Sequence, residues 1–340
     1  MKEDLSSSDW KPGRIGILGS GSWATALAKI ILTNKSSVNW YFRFKETVRE
    51  FVESNHNPSY LTSVVFDTDQ IDFYTDVPEI IAASDTILLV TPSPYIKNIF
   101  SKIRPYSLEG KFMLNAVKGI VPEDNILITD YVVREFGVPE SMTGVVSGPC
   151  HAEEVALDRL SYLTVGCPDA QKGEALRRLF VNPYVMCTFG TDVAGIEYAS
   201  VLKNVYAICA GICQGMRFGD NFQAVLIANA ADEMRRFLNS VNAQQRCVMD
   251  SVYLGDLLVT AYSRYSRNRT LGTLVGKGYS VKQAQLEMEM VAEGYYGAHC
   301  IHEVNKEYRV PMPIAETVYQ ILYKRANVKA SIAALSQKLK

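Results

Sequence analysis

No apolar run in the 340-residue chain reaches the ~18 residues that a membrane-crossing helix needs. The polar start, Met1 to Lys11, lacks the apolar core of a signal peptide. A membrane span and export are therefore not expected, and the cytoplasm is the expected location. Charge of one sign is scarce too: 35 Lys and Arg stand against 36 Asp and Glu, a formal net charge of -1. That balance leaves no concentrated basic surface, so nucleic acid and anionic membranes are not expected as partners. Cys-x-x-Cys pairs are missing. The seven cysteines, an odd number scattered through apolar contexts, read as reduced core residues rather than a disulfide set. Cys209 and Cys213 share a helix face, but without nearby histidines they read as packing, and no metal site is expected. Internal repeats and low-complexity tracts are absent as well.

What is present is a 48% hydrophobic composition and enough length for two domains at about 150 residues each. The organising stretch is Arg14 to Ala28. A short apolar run, Ile15 to Leu18, breaks into Gly19 and Gly21 and resumes as an Ala-rich helical pattern, the sign of strand, tight turn and helix. Gly19 allows the sharp turn, Gly21 lets the backbone approach a pyrophosphate, and Ala24 lets the helix pack closely on the strand. The helix N-terminus then offers N–H groups and a positive dipole end to an anion. An ordinary glycine turn in an α/β core is the alternative; the position of this one, opening the first βα unit, favours a dinucleotide.

Further strands are expected at Val38 to Phe44, Thr86 to Thr91, Lys111 to Val117 and Val145 to Ser147, each running into a loop at the edge where ligands bind in such sheets. At the end of the second strand stands Arg43 and no acid. An arginine there can stack on adenine or hold a 2′-phosphate, or it can be solvated surface. The later loops deliver Pro92-Ser93-Pro94, Lys118-Gly119 and Gly148-Pro149-Cys150-His151-Ala152 to the same edge, with Lys118 placed to meet an anion or a carbonyl. Strands alternating with helices up to about residue 190 predict a doubly wound parallel sheet.

Beyond Asp192 helical patterns follow one another, over 193–215, 222–241, 251–263, 280–292, 295–308 and 314–325, which predicts an all-helical second domain, 193–340, after a first domain of 1–192. Asn327 to Lys340 reads as a terminal helix or a frayed tail. The first of these helices is apolar nearly all round, yet Lys203 sits at its centre beside Asn204. Such a lysine has an acidic partner, has a lowered pKa, or snorkels to the surface. Glu197 falls on a different helix face and is no obvious partner. Asp256 interrupts an apolar stretch and shares a face with Thr260. Ser266-Arg267-Asn268-Arg269 gathers donors in a loop that suits a phosphate or is simply solvated. Glu293-Gly294 can cap or end a helix, or set a carboxylate near a nicotinamide amide.

In this order the pieces resemble the NAD(P)-dependent glycerol-3-phosphate dehydrogenases, from about Gly13 to Tyr323. The segments that carry the resemblance are Gly19-Ser20-Gly21-Ser22-Trp23-Ala24, Asn57-Pro58-Ser59-Tyr60-Leu61, Lys118-Gly119, Ser147-Gly148-Pro149, Lys203-Asn204, Gly255-Asp256-Leu257, Ser266-Arg267-Asn268 and Val291-Ala292-Glu293-Gly294. The resemblance implies a Rossmann-type N-terminal sheet domain, an all-helical C-terminal domain and a homodimer. It implies hydride transfer between NADPH or NADH and dihydroxyacetone phosphate, giving sn-glycerol 3-phosphate for glycerophospholipid synthesis. Ser22, Trp23, Arg43, Lys118, Ala152, Arg267, Val291 and Glu293, with the turn at Gly19 and Gly21, would hold the cofactor. Lys118, Gly148, Cys150, Lys203, Asn204, Asp256, Thr260, Ser266, Arg267 and Asn268 would hold the substrate, with Lys203 as proton donor and acceptor, Lys118 beside it and Asp256 orienting it. The chain departs from the family pattern at Val117, Cys150, His151 and Asn229-Ala230; Cys150, a weak donor, stands where a hydroxyl is usual.

Overall fold

In the computed structural model, which describes residues 10–288 and 290–340, strands and helices alternate from Ile15 to Gly190. The order is β1 Ile15–Leu18, α1 Ser22–Leu32, β2 Val38–Tyr41, α2 Lys45–Ser54, β3 Ile71–Tyr74, α3 Val77–Ala83, β4 Thr86–Leu89, α4 Ile96–Phe100, β5 Phe112–Asn115, α5 Ile128–Phe136, β6 Thr143–Ser147, α6 Ala152–Ala156, β7 Ser161–Gly166, α7 Ala170–Arg177 and β8 Val185–Gly190. Of the polar start Met1 to Lys11, residues 1–9 lie outside the described residues. The strands form one sheet in the order β3-β2-β1-β4-β5-β6-β7-β8. Strands β1, β4 and β5 are buried along their whole length. Their nearly continuous apolar sequences are what a sheet covered on both faces requires. Alternate residues feed two apolar clusters: Leu88, Phe112 and Leu114 point to one, Ile87, Leu89 and Met113 to the other.

The expectation of a parallel sheet holds from β3 through β6 and fails beyond it. Strand β7 runs antiparallel to β6, and β8 runs parallel to β7. A parallel return needs a crossover long enough to span the sheet, whereas α6 has only five residues, about 7.5 Å of helix. The chain therefore turns back at the edge where β6 ends, and Gly148 to Ala152 stay there. Gly148 makes this turn at φ +140, where a Cβ would come within 2.6 Å of the Tyr162 carbonyl oxygen.

The glycine turn after β1 is pressed against the end of β4. Gly19 has φ +145, and a Cβ on it would meet the Val90 carbonyl at 2.8 Å. Asn57 braces the turn from below. Its Nδ2 donates to the Ser20 carbonyl at 2.9 Å and to Thr25 Oγ1 at 2.8 Å, while its Oδ1 accepts from the backbone of Ser59 and Tyr60.

The helical part comprises α8 Val193–Gly215, α9 Asp220–Val241, α10 Asp256–Tyr262 behind a π-helical turn at Ser251–Gly255, α11 Arg267–Gly276, α12 Val281–Leu286, α13 Glu293–Tyr308, α14 Pro313–Lys324 and α15 Val328–Ser336. The stretch expected over 280–292 is helical only through Leu286; Glu289 lies outside the described residues. The tail after Asn327 is a helix, α15. Asp192 starts α8: it accepts from Gly195 N at 3.0 Å, from Arg246 Nε at 2.6 Å and from the Tyr253 hydroxyl at 2.7 Å. Six of the seven cysteines are buried and all are free; Cys247 is exposed, against the reading of all seven as core.

The main correction is α11, because Ser266 to Arg269 was expected in a loop. Ser266 instead N-caps the helix, accepting from Arg269 N at 3.3 Å. Propensity hides this element, since Gly272 and Gly276 are poor helix formers. Packing supplies the stabilisation. A Cβ on Gly272 would come within 2.0 Å of the Ile208 carbonyl oxygen, and one on Gly211 of α8 within 2.1 Å of the Arg269 carbonyl oxygen. The two backbones touch, and no side chain fits between them. Replacing Gly272 by Ala should therefore destabilise the protein by about 1–3 kcal/mol, although Ala is intrinsically the better helix residue by ~1 kcal/mol. Urea unfolding checks this, and a variant at least as stable as the parent would contradict the packing account.

Candidate active site

The loops at the ends of β1, β4, β5 and β6 face the starts or middles of α8, α10, α11 and α13 across a cleft. Ser22, Trp23, Lys118, Cys150, His151 and Ala152 line it from the sheet side; Lys203, Asn204, Thr260, Ser266, Arg267, Asn268, Val291 and Glu293 line it from the helical side. Most of the residues expected at a site are thus brought together. Gly19, Gly21, Gly148 and Asp256 stand behind the lining. Arg43 is exposed two residues past the end of β2, with its guanidinium 5.1 Å from the Phe44 ring. Tyr265 and Glu153 line the cleft and were not anticipated from sequence.

Lys203 is 2% exposed, and its ammonium pairs with the carboxylate of Asp256, itself 1% exposed. Asp256 is held in turn by Ser147, whose hydroxyl donates at 3.3 Å, and by Thr260, whose hydroxyl donates to the Asp256 backbone carbonyl at 2.6 Å. The sequence left open whether Lys203 would find an acid, lose basicity or reach solvent. Burial pushes its pKa down to about 7, with the Lys118 charge adding to the depression and Asp256 opposing it. Glu197 has another task. Fully buried on the other side of α8, it accepts from Asn115 and from the Thr129 hydroxyl, and burial pushes its carboxyl up to about 8. Asn115 Oδ1 accepts from Val117 N at 2.8 Å, so this carboxyl braces the strand end that presents Lys118. A charge inside an apolar helix was the available signal for Glu197, as it was for Lys203.

A row of side-chain amides ties the two sides of the cleft together. Asn204 donates to the Lys118 carbonyl at 3.1 Å, Asn268 donates to Asn204 Oδ1 at 2.9 Å, and Gly294 N donates to Asn268 Oδ1 at 2.8 Å. Gly294 has no room for a side chain, because a Cβ would lie 2.5 Å from the Asn204 carbonyl oxygen. Glu293, the first residue of α13, is committed as well: Ser93 N donates to it at 2.9 Å and the Ser93 hydroxyl donates to its other oxygen. Burial raises its pKa against those bonds. Gly119 leaves the space for this clamp, since a Cβ there would meet Glu293 Oε2 at 2.8 Å. Lys118 holds its ammonium 4.7 Å from the Trp23 ring centroid, at the start of α1. Cys150 is buried with its thiol pushed up to about 12, so it is protonated and no nucleophile.

The residues fit a dinucleotide. Gly21 N-caps α1 with no side-chain bond to the first turn, and a Cβ on it would meet nothing, so the N–H groups of that turn face open space. Trp23 Nε1, in the same turn, is buried with no partner among the described residues.

Comparison with known proteins bears on nearly the whole chain. Residues 14–173 match the family model for the NAD-dependent glycerol-3-phosphate dehydrogenase N-terminus, and residues 192–333 match that for its C-terminus. The chain is 34% identical over 322 residues to a glycerol-3-phosphate dehydrogenase [NAD(P)+] of Agathobacter rectalis, covering 95% of each protein. It is 32% identical to one of Streptococcus pneumoniae over 94% of each. The crystal structure of glycerol-3-phosphate dehydrogenase from Coxiella burnetii superposes with a TM-score of 0.86 at 27% identity, covering 95% of this chain and 98% of that one.

The depressed basicity of Lys203 makes a pH profile diagnostic. If Lys203 is the acid for carbonyl reduction, the reaction needs its charged ammonium, so kcat/KM should be level below about 7 and fall about tenfold per pH unit above it. Alcohol oxidation needs the neutral amine and should rise through the same interval. Initial rates in both directions check this; profiles that move the same way, or reduction that stays level to high pH, would contradict it.

Proposed function

The chain belongs to the NAD-dependent glycerol-3-phosphate dehydrogenase family, and on that premise we propose how its own residues divide the work. The activity is the reversible transfer of a hydride between NAD(P)H and C2 of dihydroxyacetone phosphate, which gives sn-glycerol 3-phosphate. The nicotinamide supplies or takes the hydride when bound. In our reading the turn at Gly19 and Gly21 and the start of α1, with Ser22 and Trp23, hold the pyrophosphate side of the cofactor. Ala152, Val291 and the Ser93–Glu293 clamp border its nicotinamide end, Arg267 approaches it, and Arg43 meets the adenosine.

Ser266, Arg267 and the N-terminus of α11 would anchor the substrate phosphate, where helix N–H groups and a guanidinium act together. The binding energy spent on that remote group positions the carbonyl beside Lys203. Lys203 donates its proton to the oxygen as the alkoxide develops, and Lys118 adds positive field in a water-poor cleft. Asp256 holds the ammonium in place, with Thr260 and Ser147 fixing Asp256. Asn204 and Asn268 keep Lys118 and α11 in register, and Gly148 and Cys150 form the wall behind the carbonyl. We further propose that residues 1–192 and 193–340 act as two domains, that the enzyme is a cytoplasmic homodimer, and that its product enters glycerophospholipid synthesis. Among the described residues no helix is long and apolar enough to cross a membrane.

The observation that carries this reading is the buried Lys203–Asp256 pair, whose lysine lines the same cleft as Ser22 and Trp23 at the start of α1. Adding dihydroxyacetone phosphate to the protein with NADPH or NADH should bleach the nicotinamide absorbance at once. Binding of NADPH without turnover of that substrate would contradict the assignment and point to a dinucleotide-binding protein without this chemistry.

A further inference from the structure

Among the described residues, the hydrogen bonds of the cleft leave a buried ring nitrogen unused. Asp256 is occupied by Lys203, Ser147 and Thr260; Asn204 Oδ1 is occupied by Asn268, Asn268 Oδ1 by Gly294 N, and both Glu293 oxygens by Ser93. Lys118 and Arg267 are pure donors. His151 differs. It stands at the N-cap of α6 yet makes no cap bond with its side chain, its ring rests against Tyr265 with centroids 6.3 Å apart, and its Nε2 is buried with no partner among the described residues. Burial, with Lys118 and Lys203 pushing the same way, lowers its pKa to about 4 against weaker opposition from Asp256 and the Val259 backbone. At neutral pH the ring is therefore uncharged and has a nitrogen lone pair to offer.

Dihydroxyacetone phosphate presents three polar features to such a cleft. Its phosphate and its carbonyl oxygen call for donors, which are plentiful. Its free hydroxyl is itself a donor and calls for an acceptor. We propose that His151 is a specificity-determining residue, its Nε2 accepting a hydrogen bond from the substrate hydroxyl at the end remote from the phosphate. The proposal rests on the function argued above. A polar group left unpaired in a buried site selects against an analogue that cannot satisfy it, so the contact gives preference for the hydroxylated substrate over its deoxy form.

The test compares kcat/KM for dihydroxyacetone phosphate with that for hydroxyacetone phosphate, which lacks the hydroxyl. The native enzyme should prefer the former. His151→Phe, which keeps a ring of similar size, should reduce that preference about tenfold without changing the KM for NADPH. His151→Gln, which returns a polar atom near the Nε2 position, should restore most of it. Should His151→Phe fail to fold, His151→Ala serves for the same comparison. Glu153 also lines the cleft, and Glu153→Gln should leave the preference as it is. An unchanged preference in His151→Phe, a preference lost in Glu153→Gln, or a native enzyme that does not discriminate would each overturn the proposal. A native protein inactive on both substrates would instead overturn the function on which it rests.

Discussion

Removing an ammonium from water costs several kcal/mol even after the protein relaxes, so a lysine survives at the centre of an apolar helix only where a partner and further hydrogen bonds surround it. Lys203 meets that condition through Asp256, and much of the architecture follows from bringing the two together. They lie on different helices, α8 and α10, and Asp256 is steadied by Ser147 at the end of a sheet strand. The ion pair thus needs both halves of the chain in register. Its contribution to stability is small or negative; its value is a proton held near neutral pH in a place that water hardly reaches.

The same register is enforced by contacts that leave no space. Glycines on α8 and α11 let the two backbones meet, and this sets the N-terminus of α11 beside Asn204. Gly119 does likewise where the chain beyond β5 meets Glu293 of α13, and Gly294 where α13 meets Asn204 of α8. The amides of Asn204 and Asn268 then span from Lys118 to Gly294. Positioning along this row comes from steric fit and from amides that are satisfied at each step, which rigidify more than they stabilise.

What could be read from the chain divides along the same lines. Apolar runs and the glycine turn marked β1, β4 and β5, and the unbroken apolar character of α8 marked its burial and isolated Lys203. The helix α11 was hidden because two of its ten residues are glycines whose worth lies in the partner helix, a tertiary fact with no local trace. The reversal at β7 was hidden because nothing in its apolar pattern states a direction. Asp256 as the partner of Lys203 came from family resemblance, since a pair separated by more than fifty positions has no periodicity to betray it. The Glu197 brace and the free nitrogen of His151 needed coordinates, for each is defined by what its neighbours bond to.

The claim at the centre is that Lys203 supplies the proton. Replacing it alone would strand Asp256 as a lone buried carboxylate, so the informative protein carries Lys203→Met together with Asp256→Asn, with Asp256→Asn alone as its reference. The decisive measurement is kcat for reduction of dihydroxyacetone phosphate in the two variants, each shown by fluorescence to bind NADPH. The account predicts a fall of at least about a hundredfold from the single to the double variant, the lower bound for loss of a general acid. Equal turnover in the two would contradict it and move the acid to Lys118.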